Sequence, residues 1–396
     1  MRTPPIRDAH NVLAVLAPGQ GAQKPGFLTP WLTLPAVRSR LRWWSTLAGL
    51  DLLHLGTEAD AAEITDTART QPLLVASALL VAEQLSGYDV AVVAGHSVGE
   101  LAAAAIAGVL TPEAAVTLAA ARGREMAAAC ASEPTGMSAV LGGDPDEVLA
   151  AIAGAGLYPA NHNGAGQIVA AGAQAGLDKF AAEPPARTRV RPLQVAGAFH
   201  TPFMAPAEQA LAEIASGIVA GTPNRILLSN RDGAAIDNGR AMLDRLVRQV
   251  TAPVRWDLCM TTLADLGVTA VLELPPAGTL AGLIKRTLKG VEIVTINTPD
   301  DLGAARELIA QHGGSPTHEP HPEFRVVVAT AAGTFEPLTD LAEGAEISSG
   351  DVLGHVVTRQ GPVTITAHAT GVLTEWLTHH NDPVAPGQPL ARIDGL

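Results

Sequence analysis

The residues best suited to chemistry lie in the run AVVAGHSVGE, residues 91–100, where Gly95-His96-Ser97-Val98-Gly99 sets one serine between two glycines. A β-type apolar stretch leads into it, and the Ala-rich segment LAAAAIAGVL, with the composition of a helix, follows. Strand, tight turn and helix in that order make a nucleophile elbow, which presents a serine hydroxyl for attack on an acyl group. Glycines on either side permit the strained turn and keep its surroundings open. The following helix offers free N–H groups and partial positive charge to a developing oxyanion. A purely structural βα turn can carry the same pattern. Nearer the N-terminus, APGQGAQ, residues 17–23, follows a second apolar run, NVLAVL. A phosphate-binding loop is the competing reading there. The run lacks the G-K-[ST] ending of a P-loop and the third glycine of a dinucleotide fingerprint, so an oxyanion-hole loop fits it better.

The elements that must position these residues follow an α/β pattern. From about residue 11 to about 310, strand-like runs such as NVLAVLAP, VAVVAGHS and VTAVLELP alternate with longer Ala/Leu-rich segments at helical spacing. That pattern predicts a mostly parallel, buried sheet. Residues 137–197 differ: short strands (MSAVLGG, GQIVAAG, RVRPLQVAG) surround short helices (PDEVLAAIAGA, GLDKFAAE), as in a small inserted α+β subdomain. Residues 311–323 read as a linker, because HGGSPTHEPHPE holds no apolar residue. Residues 324–396 form a different domain of short β runs with an internal pseudo-repeat. Gly333 precedes Ile347-x-x-Gly350-x-x-Leu353, and Gly371 precedes Val384-x-x-Gly387-x-x-Leu390 at nearly the same offset. Two similar halves predict a β-sandwich with internal twofold symmetry.

Composition narrows the function classes. A chain of 396 residues with 47% hydrophobic side chains can build a large core and a second, smaller one. MRTPPIRDAH lacks the apolar stretch of a signal peptide, and no run approaches the roughly 18 apolar residues of a membrane span. A cytoplasmic protein with no membrane association is expected. Cys130 and Cys259 are the only cysteines, too few for a disulfide framework or a cysteine-built metal site, so both are expected as reduced core thiols and no metal is expected. The net charge of -13 is spread along the chain, which argues against nucleic acid as a partner.

Taken together, APGQGAQ, GHSVGE, Arg122 in ARGREM, GAFHTPFM and VRQVTAPVRW stand in the order and spacing of malonyl-CoA:acyl-carrier-protein transacylases, which the chain resembles over nearly all of residues 11–310. The resemblance implies a hydrolase-like α/β core with an inserted ferredoxin-like subdomain, malonyl-CoA and a phosphopantetheine-bearing acyl carrier protein as partners, and no cofactor. It makes Ser97 the nucleophile and His200 of GAFHTPFM the general base, without which a serine hydroxyl is a poor nucleophile. Gln249 matches the residue whose backbone carbonyl orients the imidazole. Backbone N–H groups of Gln20 and Val98 match the oxyanion hole. Arg122 matches the arginine that pairs with the malonate carboxylate, a bidentate partner that lysine cannot replace. Arg124, two positions on, reads as a surface ion pair. Phe199, before the base, suggests a pocket too crowded for an α-methyl branch, a discrimination worth about 1–3 kcal/mol. Gln71, Asn163 and Asn230 match recurring pocket positions, with turn formation as their alternative role. The resemblance departs at LPPAGTLAG, residues 274–282, where the family commonly has a Gly-Pro-Gly turn.

An acidic carrier would need a basic patch, for which Arg245, Arg248, Lys285 and Arg286 are candidates by nearness in sequence. Residues 324–396 resemble biotinyl/lipoyl-like domains, an all-β barrel-sandwich, with Gln360 where the attachment lysine is expected. No lysine occurs after Lys289, so no biotin or lipoate attachment is expected on this module, which reads as a docking, dimerisation or stabilising appendage. Three other functions remain open: a serine esterase or thioesterase, which has no need of Arg122; an acyltransferase serving polyketide assembly, which shares every residue named; and a non-enzymatic scaffold defined by the C-terminal module.

Overall fold

The computed structural model describes residues 11–85, 90–313, 324–368 and 370–394. The chain divides into two compact units, residues 1–316 and 317–396. The first ten residues, and most of the expected linker, lie outside the described residues. Residues 311 and 312 are not linker: the helix Leu302–His312 runs through them, burying Leu308 and Ile309 just before.

In the first unit, strands β1 (Leu13–Ala17), β2 (Val92–Gly95), β7 (Ile226–Leu228), β8 (Ala235–Ile236), β9 (Ala270–Glu273) and β10 (Glu292–Thr295) form one sheet. Strands β3 to β6, given below, come between β2 and β7 in the chain. The order is β10-β9-β1-β2-β7-β8, and every pairing is parallel except that of β7 with the short edge strand β8. Strand β1 is apolar throughout because both its faces are covered. Leu13, Val15 and Ala17 join the larger core, with Trp31, Trp44 and the helices Thr67–Glu83 and Pro112–Cys130. Val12, Ala14 and Leu16 point the other way, into a core with Trp256 and Met260. That alternation is the two-residue period of a strand. Helix starts are set by short side chains: Thr111 accepts from the Ala114 N–H ahead of Pro112, and Asp66 from the Ala68 N–H.

Strands β3 (Thr135–Gly142), β4 (Tyr158–Gly164), β5 (Gln167–Ala173) and β6 (Thr188–Pro192), with helices Pro145–Gly154 and Gln174–Ala182, build a separate antiparallel sheet of order β4-β5-β3-β6. Its ordered limits, 135–192, fall short of the expected 137–197 at the C-terminal side. Beyond Pro192 the chain runs as a loop toward His200. Asn163, for which turn formation is the alternative role, lies in the last residues of strand β4.

The second unit is all β: β11 (Phe324–Val328), β12 (Gly333–Pro337), β13 (Glu346–Ile347), β14 (Val352–Thr358), β15 (Gly361–Thr366), β16 (Gly371–Trp376), β17 (Pro383–Val384) and β18 (Pro389–Asp394). They form two four-stranded sheets, β11-β18-β16-β13 and β15-β14-β12-β17. The pseudo-repeat is visible in this pairing. Gly333 and Gly371 open β12 and β16, and β13 pairs with β16 while its counterpart β17 pairs with β12. Gly350 and Gly387, at φ 98° and 85°, take the left-handed backbone at equivalent turns. Phe335, Leu353, Leu373 and Leu390 fill the space inside. Gln360 is exposed in the hairpin between β14 and β15.

Candidate active site

Ser97 sits at the turn between β2 and the helix Gly99–Ile106 with φ 53°, a left-handed backbone that costs a non-glycine residue about 1–3 kcal/mol. The turn is held so tightly that a Cβ on Gly99 would stand 2.2 Å from the Ala17 carbonyl oxygen, and one on Gly95 would stand 2.1 Å from the Gly99 carbonyl carbon. Both glycines are therefore required by contact. Asn230 braces the elbow from behind: its Oδ1 accepts the Ser97 N–H at 2.8 Å and its Nδ2 donates to the Gly95 carbonyl at 2.7 Å.

Across the elbow, Ser97 Oγ lies 2.7 Å from His200 Nε2. His200 also has a left-handed backbone, φ 61°. Two bonds pin it to the segment after the helix Gly239–Arg248: its backbone N–H donates to the Val250 carbonyl at 3.0 Å, and its Nδ1 to the Gln249 carbonyl at 2.8 Å. A carbonyl only accepts, so Nδ1 carries the proton and Nε2 keeps a lone pair for the serine hydroxyl. Burial, and then the charge of Arg122, hold the imidazole down to about 3 against an ordinary 6.5. The free site thus contains a neutral base.

Arg122, on the helix Pro112–Cys130, is 3% exposed. Its Nη1 donates to Gln71 Oε1 at 2.6 Å, and its Nη2 to Gln249 Oε1 at 2.8 Å and, at 3.5 Å, to Ser97 Oγ. These partners are amide and hydroxyl oxygens, not carboxylates. Burial lowers its pKa to about 10, which leaves the guanidinium charged at neutral pH. Arg124 behaves differently: it is exposed and pairs with Glu125 at 2.9 Å.

Gln249 is no solvated helix side chain. It is buried, and its Nε2 donates to the Ser97 carbonyl at 3.1 Å and to Glu100 Oε2. Glu100, which the sequence reading passed over, is 1% exposed and also accepts the Asn230 N–H at 2.6 Å. Burial pushes its carboxyl up to about 8, against the pull of those two donors and of Arg122 and Arg245. With both oxygens accepting N–H bonds, the bonding pattern fits the ionised form. His96 was missed as well. Its Nε2 meets Asn163 Oδ1 at 2.9 Å and its ring packs edge-on against Trp256, 5.6 Å between centroids. Asn163 thereby ties β4 of the inserted sheet to the residue before the nucleophile.

Of the other candidates, Gly19 lies against His96, since a Cβ there would stand 2.9 Å from the His96 carbonyl oxygen. That places the loop carrying Gln20 beside the elbow. Val98 opens the nucleophile helix and is buried. Phe199 is buried in the larger core. The candidate basic patch is only partly assembled. Arg245 and Arg248 line a cleft of about 240 Å³ together with Arg231, Glu208 and Gln249, whereas Lys285 and Arg286 do not line it. Cys259 is buried, but Cys130 is only partly so and packs against Gly197. At LPPAGTLAG the carboxylate of Glu273 caps the next helix, accepting N–H bonds from Gly278, Leu280 and Ala281 at 2.7–3.0 Å. Among the described residues no group of three or more His, Cys, Asp or Glu could hold a metal ion, and no helix is long and apolar enough to cross a membrane.

A serine held at hydrogen-bond distance from a neutral histidine, with an uncompensated arginine at its shoulder, is an arrangement for moving acidic acyl groups. Residues 16–305 match the family model described as acyl transferase domain. A relative from Mycobacterium tuberculosis (strain ATCC 25618 / H37Rv), named malonyl CoA-acyl carrier protein transacylase, is 56% identical over 297 residues, which are 74% of this chain and 98% of that one. The chain belongs to the malonyl CoA-acyl carrier protein transacylase family. It is an acyltransferase. The crystal structure of the M. tuberculosis MCAT superposes with a TM-score of 0.73 at 55% identity, covering 75% of this chain and 99% of that one. A malonyl-transacylase solved with a type II polyketide synthase acyl-carrier protein matches with a TM-score of 0.70 at 30% identity, covering 75% and 99%. These family members share the mixed α/β sheet core of the first unit.

Proposed function

We propose that this chain moves malonyl from malonyl-CoA to the phosphopantetheine thiol of an acyl carrier protein, through an ester on Ser97, for fatty-acid synthesis. The observation that carries the reading is Arg122, buried 3.5 Å from Ser97 Oγ with only neutral oxygens as partners. A buried guanidinium with no carboxylate in direct contact is costly, since Glu100 acts on it only across Gln249, and the malonyl carboxylate supplies that contact. With that carboxylate on Arg122, the thioester carbonyl lies toward the N–H groups of Gln20 and Val98. Ser97 attacks it while His200 Nε2 takes the hydroxyl proton. The oxyanion accepts from the two N–H groups, the C–S bond breaks, and the CoA sulfur leaves with the proton from His200. The carrier's thiol then gives its proton to His200, attacks the ester, and Ser97 regains its hydroxyl. The carboxylate has a second effect. The charge of Arg122 is one reason the His200 imidazolium is disfavoured, so an acyl group that neutralises Arg122 makes its own base stronger.

Phe199, Gln71, Asn163 and Asn230 shape and hold the pocket in this reading. No metal or cofactor is needed, and the setting is cytoplasmic. The first unit is read as a hydrolase-like core with a ferredoxin-like insertion, which the βαββαβ order of β3 to β6 supports. The second is read as a biotinyl/lipoyl-like barrel-sandwich without an attachment lysine, supported by its paired half-repeats. Carrier docking is assigned to the cleft with Arg231, Arg245 and Arg248. The test is the intact mass of the protein after incubation with malonyl-CoA alone. A malonyl adduct is expected, absent in Ser97→Ala and not matched by acetyl-CoA. CoA release with free malonate and no lasting adduct would identify a hydrolase instead.

A further inference from the structure

Among the described residues of the first unit two carboxylates are buried to 1% exposure or less, and one of them, Glu273, is accounted for as a helix cap. Glu100 is the other. Its carboxylate makes no hydrogen bond to Ser97, His200 or Arg122, yet it bonds to the two residues that hold them, Asn230 and Gln249. We propose that Glu100 is a positioning residue for substrate selection: it fixes the rotational sense of the Gln249 amide, so that Gln249 shows Arg122 its oxygen and leaves the guanidinium uncompensated and aimed at the acyl donor's carboxylate. The choice of substrate rests on the malonyl-transfer reading. The amide's orientation rests on the geometry alone.

The two ends of a glutamine amide are nearly the same size, so its partners decide which way it faces. An arginine only donates and a carboxylate only accepts. The sequence of bonds Arg122 Nη2 to Gln249 Oε1, then Gln249 Nε2 to Glu100 Oε2, therefore runs in one direction. Turning the amide over would set an NH2 group against the guanidinium and an oxygen against both Glu100 and the Ser97 carbonyl. Glu100 is itself fixed, because its other oxygen accepts from the backbone N–H of Asn230, which cannot rotate away. The outcome is a buried positive and a buried negative group separated by one neutral amide. They lie near enough for each to lower the cost of burying the other, while Arg122 keeps its charge for the substrate. A carboxylate at position 249 would quench that charge.

Substituting E100Q weakens the fixed sense. The new amide must turn its oxygen to the Asn230 N–H, so its NH2 faces the NH2 of Gln249, which either keeps its sense against that clash, with the Ser97 carbonyl as its one remaining acceptor, or turns away; in both cases its hold on Arg122 is loosened. Loss of a charge-assisted contact at the guanidinium predicts a fall of roughly 10–100-fold in kcat/KM for malonyl-CoA, mostly in KM. Phosphonylation of Ser97 by a neutral fluorophosphonate, which needs the elbow and His200 but not Arg122, should stay within about 3-fold on the same scale. The double variant E100Q/Q249E places a carboxylate directly on Arg122 and lets the new amide at position 100 donate to it. Its thermal midpoint should lie above that of E100Q while malonyl-CoA turnover stays low. Equal losses of malonyl transfer and of phosphonylation would show that Glu100 merely supports the elbow and would overturn the inference, as would unchanged malonyl kinetics in E100Q. Recovery of malonyl turnover in the double variant would do the same. If the unaltered protein labels at Ser97 but does not distinguish malonyl-CoA from acetyl-CoA, the malonyl reading falls and takes this one with it. That result comes from the unaltered protein alone, so the two failures are distinguishable.

Discussion

Replacing Asn230 by alanine asks whether the nucleophile elbow keeps its shape unaided. The change deletes the acceptor of the Ser97 N–H bond at 2.8 Å and the donor to the Gly95 carbonyl at 2.7 Å. Asn230 is fully buried, so each lost bond strands a polar group at about 1–3 kcal/mol, and the pair together costs about 2–6 kcal/mol. The left-handed backbone of Ser97 holds about 1–3 kcal/mol of its own. The brace and the strain are thus of similar size, and without the brace the elbow should relax. Relaxation carries Ser97 Oγ away from its 2.7 Å contact with His200, and a shift of the order of 1 Å at a reacting atom lowers the rate by about 100-fold. At roughly 2 °C per kcal/mol for a unit of this size, the thermal midpoint should fall by roughly 4–12 °C. Calorimetry reads the midpoint, and stopped-flow measurement of the CoA burst reads acylation. Asn230→Asp keeps the acceptor for Ser97 but turns an oxygen toward the Gly95 carbonyl and sets a second carboxylate beside Glu100, so it should be at least as unstable. An alanine variant with a full burst and an unchanged midpoint would refute this account of the elbow.

Further outcomes are expected. His200 is held down to about 3 in the folded protein against 6.5 when free, so the unfolded chain binds more protons between those values; its contribution to stability is complete above pH 6.5 and is lost as pH falls toward 3. In denaturant titrations across pH, His200→Asn should flatten the acid-side slope; a slope that matches the unaltered protein would contradict the assignment. Gly99→Ala should be among the most destabilising changes in the chain, because the new methyl would stand 2.2 Å from a backbone oxygen. By contrast Gly303→Ala, on a helix with open space around it, should stabilise by about 0.5–1 kcal/mol, and soluble Gly99→Ala protein with a midpoint within a degree of normal would count against the contact argument.

The elbow was legible because its chemistry is local: strand, glycines, serine and helix are contiguous, and no distant residue is needed to recognise them. His200, Arg122 and Gln249 were legible only through a resemblance, since nothing in their own neighbourhoods separates them from ordinary surface residues. Glu100 ends the very run that was quoted for the nucleophile. A glutamate in the first turn of a helix is also where the helix dipole alone would place one, and only the packing of Asn230 and Gln249 over it reveals a different role. Asn163 and His96 were hidden for the same reason, being 67 residues apart, one on the inserted sheet and the other in the turn after β2. The edges of elements were less legible. The helix Leu302–His312 runs two residues past the boundary read at 310, with His312 in its last turn and the Gly313 N–H donating to the Ile309 carbonyl at its end.

The second unit begins and ends on neighbouring strands, with residue 324 opposite residue 394 and the pairing of β11 with β18 running inward from there. A load applied through its two ends would act at the last rung of that ladder and peel the strands apart one bond at a time, whereas a load across two distant rungs would have to break them together. Mechanically, this unit is built to open from its ends like a zip, and its resistance to tension is set by the first few backbone bonds between β11 and β18, however well the core behind them is packed.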